Sequence, residues 1–351
     1  MPAPFDPRQV PPRTLFLGLP ASHVCNYRCR HCHIWRNERL PDALPRERRL
    51  ELLREFAALS PGGMVVLSGG EVTLDWEELL EVLRVGRDAG LRSIVVTNGS
   101  GVGTPERALE LIGAGVAHVS VSLDSHRPEL HNYVRGRAEA FAEATGAIRR
   151  LATARVAAAS PVTVGVSTVL FRENLPELPL LEAFALEIGA QFVDFQLLAR
   201  TFSNSHPSRD AFFEKHFWHL PEEKAEAKRL LSTFLTPGGD RLGSLVKGPA
   251  DLGWILRYVD DPDFRTESPV CGSHRMNLVV DARGDVALCF NSRSILDAPF
   301  VGNVRARPLA ELWTGEKAAA DRGVMDSCRL NCGALNCHRA TESAAPALAV
   351  T

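Results

Sequence analysis

The eight cysteines of this chain fall into two groups and nowhere else. Cys25, Cys29 and Cys32 lie within eight positions of "HVCNYRCRHCHIW", and Cys271, Cys289, Cys328, Cys332 and Cys337 lie near the other end. The 238 residues between Cys32 and Cys271 contain none. Cysteines that merely fill a core would scatter, and paired disulfides are the weaker reading in a reducing compartment. Both groups therefore read as metal ligands. The fold must present one short thiol loop near its start and gather a second thiol set from distant positions.

At 351 residues the chain can bury a large core, with one big domain and a smaller one as the natural division. A formal net charge of -2 argues against a strongly basic nucleic-acid surface. No apolar run is long enough to span a bilayer, and "MPAPFDPRQVPPRTLFLGLP" has too little apolar core for a signal peptide. The expectation is a cytoplasmic protein with no membrane and no nucleic-acid partner. Residues 1–12 read as a flexible Pro-rich lead-in to a first strand, "TLFLGLP".

After the first cysteines the chain alternates. "GMVVLSGGE", "SIVVTNGS", "HVSVSLDS", "PVTVGVSTVL" and "FVDFQLLAR" are short apolar, β-branched runs that end in polar residues. Between them, "PRERRLELLREFAALS", "DWEELLEVLRVGRDAG", "PERALELIGAG", "EAFAEATGAIRRLATA" and "LPELPLLEAFALEIGA" repeat apolar residues at helical spacing. About six βα units follow, and with them a parallel sheet covered by helices. Polar residues gather at the C-terminal ends of the strands, the edge where such sheets bind ligands. A doubly wound open sheet is the alternative, but no strand leads into a GxGxxG turn. Residues 201–270 break the rhythm as an aromatic-rich and helical linker. "NLVVDARGDVALCF" reads as a hairpin turning at Arg283-Gly284-Asp285, and residues 341–351 as a disordered tail.

Taken alone, Cys-x3-Cys-x2-Cys permits a zinc site completed by His31 or His33, or an iron–sulfur cluster. The order of motifs around it is more specific. "CNYRCRHC" after the first strand, "SGGE" after the second, "TNG" after the third and "SVSLDS" at the fourth follow one another. "HNYVRG", "AFAEATGAIRRL" and "VSTVLFRENLPEL" come next. Over residues 13–200 this resembles the radical S-adenosylmethionine (radical SAM) enzymes. The resemblance implies a partial (β/α)6 barrel of the TIM type. It also implies that three thiolates hold a 4Fe–4S cluster whose fourth iron binds the amino and carboxylate groups of S-adenosylmethionine.

The same resemblance assigns further residues. Gly69, Gly70 and Glu71 would meet the methionine amino group, with Val72 in place of the family's usual proline. Asn98 belongs to the "TNG" element on the cofactor side. Ser122 would contact cofactor, Asp124 cofactor or substrate, Ser167 the ribose, and Arg135 the methionine carboxylate. Leu197 or Leu198 would pack on adenine, although core packing is the simpler role for either. No catalytic residue is fixed; Asp124 and His126 are candidates, and His131 lies close to them. His206, His216 and His219 have nothing to place them in the site. "FFEKHFWHL" reads either as a lid or wall facing substrate or as ordinary aromatic packing.

The last five cysteines resemble the SPASM and twitch extensions of radical SAM enzymes, over residues 271–340. A full SPASM module has seven cysteines for two clusters and this chain has five. The expectation is one auxiliary 4Fe–4S cluster held by Cys271, Cys289 and two of Cys328, Cys332 and Cys337. "CRLNCGALNCH" with His338 leaves zinc as the alternative there. The resemblance implies an oxidoreductase or maturase acting on a peptide or small-molecule substrate. A one-electron donor such as flavodoxin or ferredoxin would supply it. Only about two dozen residues precede Cys25, so no N-terminal peptide-recognition domain is expected, which keeps a sugar or aminocyclitol substrate in play. Use of S-adenosylmethionine as a methyl donor only, and a zinc-stabilised binding module without catalysis, rank below these readings.

Overall fold

In the computed structural model, residues 5–198, 207–234 and 249–335 are described. Cys337, His338, His206 and the 341–351 tail lie outside them. Six strands, β1 (Thr14–Leu17), β2 (Met64–Leu67), β3 (Arg92–Thr97), β4 (His118–Ser122), β5 (Thr163–Leu170) and β6 (Phe192–Leu197), pair in sequence order and all in parallel. The crossovers are α1 (Arg46–Leu59), α2 (Trp76–Asp88), α3 (Pro105–Gly113), the pair α4 (Pro128–Arg135) and α5 (Ala140–Ala157), and α6 (Leu178–Glu187). Parallel pairing demands such crossovers, because a hairpin cannot return a strand in the same direction. Helix starts are marked locally: the Asp75 side chain accepts from Glu78 N at the head of α2, and Thr104 from Arg107 N at the head of α3. This is the expected partial barrel. The short helix α4, which overlaps "HNYVRG", had no periodic signal long enough to announce it.

Alternation along the strands divides the sheet into two faces. Leu15, Leu17, Val65, Leu67, Val95, Val119, Val121, Val164, Val166, Val193 and Phe195 are fully or nearly fully buried under the helices. Their neighbours Phe16, Met64, Val66, Ile94, Ser122, Ser167, Val169, Asp194 and Gln196 retain access on the other, inward face. That face has two halves. Towards β1 to β3 it is apolar, and from the end of β4 to β6 it carries Ser122, Ser167, Asp194 and Gln196.

Beyond β6, α7 (Pro207–His216), α8 (Pro221–Phe234) and α9 (Pro249–Asp260) precede a hairpin of β7 (Asn277–Val280) and β8 (Asp285–Ala287). The hairpin is not a separate unit. β7 pairs in parallel with β1, with Phe16 opposite Val279, so the barrel sheet continues through β7 and β8 to β9 (Gly302–Asn303). This pairing covers the β1 edge that an open six-stranded barrel would otherwise expose. Three helices, α10 (Leu309–Thr314), α11 (Glu316–Met325) and the single turn α12 (Cys332–Leu335), complete the described chain. The lead-in to β1 packs on them. Trp313 is fully buried, its indole N–H donates to Pro7 O at 3.0 Å, and Phe5 meets its ring edge-on at 6.2 Å. No helix among the described residues is long and apolar enough to cross a membrane.

Trp313→Ala is expected to cost about 3–5 kcal/mol of stability by the usual scale for a buried aromatic. Trp313→Phe should cost much less while still freeing Pro7. Thermal unfolding together with hydrogen exchange at residues 6–10 checks both: exchange rises in each variant, and the large stability loss appears only with alanine.

Candidate metal centre and cofactor site

The first thiol loop follows β1 and the short 3-10 turn Pro20–His23. Its side chains alternate. Tyr27 and Cys29 are buried and Cys25 half-buried, whereas Asn26, Arg28 and Arg30 are exposed. Cys25 Sγ accepts the Tyr27 backbone N–H at 3.4 Å. Tyr27 anchors the loop from beneath: its hydroxyl donates to Glu143 of α5, and Arg137 clamps the same carboxylate at 2.6 and 2.9 Å. Trp35 closes the far end, where its indole N–H is shared between the carbonyls of Cys29 (3.3 Å) and Cys32 (3.0 Å). Neither anchor carries a signal in the sequence, since each contact joins the loop to a residue chosen by the fold.

Two backbone segments grip this loop from opposite sides. Gly70 N donates to Ser22 O at 2.6 Å, and Glu71 N to Val24 O at 2.9 Å. A Cβ on Gly70 would lie 1.8 Å from Val24 O, so only glycine admits the approach. On the other flank, Arg30 N donates to Val134 O at 2.8 Å. Gly136 then ends α4 in the left-handed region at φ 62°, with Arg28 O only 2.1 Å from where a Cβ would stand. "SGGE" and "VRG" therefore act on the loop itself.

Buried charge supports both grips. Glu71 is fully buried, and its two oxygens accept from Thr73 N, Thr73 Oγ1, Thr97 Oγ1 and Asn98 N. Burial pushes its carboxyl up from the ordinary value, and these donors pull it back. Asn98 Nδ2 in turn donates to Asn26 of the thiol loop at 3.0 Å. Arg135 forms a two-bonded pair with Asp124 (2.7 and 2.9 Å) and also donates to Cys29. Burial opposes the Asp124 charge, but the guanidinium outweighs it and holds the carboxyl below its usual range. Asp124 Oδ1 takes the Val169 N–H as well, at 3.1 Å. With both oxygens engaged and no exposed surface, Asp124 supports Arg135.

The other expected residues separate. Ser122 and Ser167 stand opposite each other across β4 and β5, and Asp194 stands opposite Ser167 on β6, all on the inward face. Leu197 does not join them. Its alternation groups it with Val193 and Phe195 under the helices, and Leu198, just past the strand, is equally buried. Asp194 and the exposed Gln196 are the β6 residues that face inward. The period of two in "FVDFQL" carries that information. His126 turns towards Glu177, with Nδ1 3.9 Å from its Oε2. His131 is buried, accepts Asp124 N at 3.1 Å, and is pushed by burial down to about 3, so it stays neutral.

"FFEKHFWHL" packs at the mouth of the barrel. Phe212 meets the His31 ring at 5.8 Å and His216 at 4.2 Å. His216 is buried and hydrogen-bonded to Glu173 (2.9 Å) and to the Tyr133 hydroxyl (3.1 Å). His219 is bonded within its own segment, to Glu214 O at 2.8 Å.

The second thiol set brings together residues from four places in the chain. Cys271, Cys289, Cys328 and Cys332 lie close enough to influence one another's ionisation. Cys271 Sγ accepts Ser273 N at 3.4 Å, Cys289 Sγ accepts Asn291 N at 3.2 Å, and Cys328 accepts Leu330 N. With Cys25, four cysteines thus share one local arrangement, a backbone N–H two residues on aimed at sulfur, which stabilises a thiolate ligand. Burial pushes the thiols of Cys29 and Cys289 up to about 12, so metal binding must displace their protons. Among the described residues, no three His, Cys, Asp or Glu side chains converge tightly enough to hold a single metal ion. Zinc needs its ligands about 2.0–2.3 Å from one centre. Cys337 and His338 of the second set lie outside the described residues; the four thiols described there match in number the set that one 4Fe–4S cluster takes. Phe290, next to Cys289, meets Phe16 of the inward face edge-on at 4.7 Å, so the second set adjoins the apolar half of that face.

Comparisons with known proteins agree with this arrangement. A model of the Radical SAM superfamily matches residues 19–184, and the SPASM model, an iron-sulfur cluster-binding domain, matches residues 271–337. The AdoMet-dependent heme synthase of Methanosarcina barkeri is 28% identical over 86% of this chain and 82% of its own. The PqqA peptide cyclase of Gluconobacter oxydans is 27% identical over 86% of this chain and 76% of its own. Among solved structures, anSMEcpe with bound AdoMet has a TM-score of 0.65 at 18% identity, covering 90% of this chain and 84% of that one.

Gly70→Ala is expected to push the first loop out of place and leave the second thiol set intact. Iron per chain after anaerobic reconstitution should then fall by about half, as expected for losing one of two clusters. Asp124→Asn leaves Arg135 as a buried uncompensated charge and should cost about 3–5 kcal/mol in denaturant unfolding of the apoprotein.

Proposed function

Because the chain belongs to the radical SAM superfamily and carries an iron–sulfur cluster-binding SPASM domain, we propose that it modifies a side chain of a peptide or protein. It is a radical SAM enzyme whose cofactors are S-adenosylmethionine, the 4Fe–4S cluster that binds it, and auxiliary iron–sulfur chemistry in the SPASM domain. When bound, the first cluster supplies the electron that splits the sulfonium of S-adenosylmethionine into methionine and a 5′-deoxyadenosyl radical, which takes a hydrogen atom from substrate.

Within this reading, Cys25, Cys29 and Cys32 hold the first cluster and leave one iron free for S-adenosylmethionine. Gly69, Gly70, Glu71 and Asn98 fix the loop beside it, and Arg135, supported by Asp124, is a positioning residue for Cys29. Ser122, Ser167, Asp194 and Gln196 supply polar groups to the cofactor side of the inward face. The apolar half receives the reacting side chain and keeps water from it. Cys271, Cys289, Cys328 and Cys332 make up one four-thiolate set for a single auxiliary 4Fe–4S cluster, and Cys337 is the spare. A flavodoxin- or ferredoxin-type donor supplies the electron.

The observation that carries the reading is the Phe16–Phe290 contact. It joins the inward face of the barrel to the second thiol set, so a substrate on that face would lie between two redox centres. The likeness to a peptide cyclase favours a peptide over a sugar or aminocyclitol. Reconstituted enzyme should be incubated with S-adenosylmethionine, reductant and deuterated candidates of both classes. Deuterium is expected in 5′-deoxyadenosine from a peptide; transfer from the small metabolite alone would overturn the peptide assignment. Cys332→Ser should remove about half of the iron, and Cys337→Ser none.

A further inference from the structure

The outward side of the first thiol loop carries positive charge that no acid offsets. Between Cys25 and Arg39 the sequence has four arginines and one acidic residue, Glu38, in a chain of formal net charge -2. Several arginines elsewhere in the barrel are matched to carboxylates: Arg48 with Glu55, Arg127 with Glu177, Arg137 with Glu143. Arg28, Arg30 and Arg36 are held differently. Arg28 and Arg36 lie over the Trp35 ring at 5.9 and 4.4 Å, and Arg30 over Tyr133 at 4.3 Å, with Lys215 5.4 Å from the same ring. Aromatic faces hold a guanidinium in place without cancelling its charge. Among the described residues, no ion pair joins Arg28, Arg30 or Arg36 to a carboxylate.

This patch lies on the thiol loop itself. Arg28 and Arg30 flank Cys29 and point outward where Cys29 points inward. Trp35, which carries two of the guanidinium groups, is bonded to the carbonyls of Cys29 and Cys32. The patch is therefore a short path from solvent to the thiol loop, through side chains exposed on either side of buried Cys29.

We propose that the Arg28–Arg30–Arg36 face is the docking surface for an acidic one-electron donor protein of the flavodoxin or ferredoxin type, an inference that rests on the radical SAM reading above. One electron leaves the reduced donor and one enters the cluster held by Cys25, Cys29 and Cys32. No bond forms or breaks at the interface. An acidic substrate peptide fits the patch less well, because it must reach the inward face.

The test uses full-length reconstituted enzyme, reduced flavodoxin as the probe, and the double variant Arg28→Glu/Arg36→Glu, whose guanidinium groups lie over Trp35. Flavodoxin affinity by biolayer interferometry is expected to weaken roughly tenfold or more, and added salt should weaken wild-type binding in the same direction. Arg28→Lys/Arg36→Lys should restore most of the affinity. Deoxyadenosine formation driven by dithionite should stay unchanged, while the flavodoxin-driven rate falls with the affinity. Unaltered flavodoxin binding would overturn the proposal. So would an equal loss of the dithionite-driven rate, which would assign the arginines to loop integrity, or loss of acidic-peptide binding alone. Wild-type enzyme that forms no deoxyadenosine even with dithionite would instead overturn the radical SAM reading, and this inference with it.

Discussion

Main-chain contacts on both flanks of the first thiol loop set its position, and the rest of the site is built around that loop. Ser22 and Val24 offer carbonyls to Gly70 and Glu71 on one side. Arg30 gives its N–H to Val134 on the other, with Gly136 closing over Arg28. Three backbone groups are thereby satisfied in and just before the loop. Side-chain anchors at Tyr27 and Trp35 then remove the remaining freedom. A loop fixed in this way can hold three thiolates without a fourth protein ligand, which leaves one metal position open to a cofactor, as catalytic metal sites require.

Buried charge is used in the same service. Glu71 and the Asp124–Arg135 pair lie at the C-terminal ends of β2 and β4, each close to full burial and each saturated with hydrogen bonds. Such groups are costly to bury and cost more when left unpaired, so they fix one arrangement of the segments they join. Glu71 joins β2 to β3 through Thr97 and Asn98. Asp124 joins β4 to β5 through Val169, and Arg135 extends that link to Cys29. The polar C-terminal edge of the sheet thus serves first as a frame and only then as a binding surface.

Much of this was legible in the sequence because it depends on local pattern. The βα rhythm, the hairpin at Arg283-Gly284-Asp285 and the thiol loop after the first strand are each written in contiguous residues. Long-range choices were not legible. Nothing in "NLVV" says that it pairs with "TLFL" in parallel and extends the barrel sheet. Nothing in "CRLNCGALNC" says that Cys328 and Cys332 approach Cys271 and Cys289. The Asp124–Arg135 pair was not legible, because Arg135 lies eleven residues on across a turn and a short helix, and only the fold reveals that both carboxylate oxygens are taken. The period of two in "FVDFQL" does mark Asp194 and Gln196 as the inward residues of β6.

The central claim is that the three thiols of residues 25–32 hold an iron–sulfur cluster with one iron reserved for S-adenosylmethionine. Its most direct test is pulsed electron–nuclear resonance on the reduced protein loaded with S-adenosylmethionine carrying 15N in the methionine amino group. A clear 15N coupling to the cluster that is abolished by Cys29→Ala, while the signal of the second cluster persists, is the result predicted here. A first cluster whose spectrum shows no 15N coupling and does not change when S-adenosylmethionine is added would contradict it.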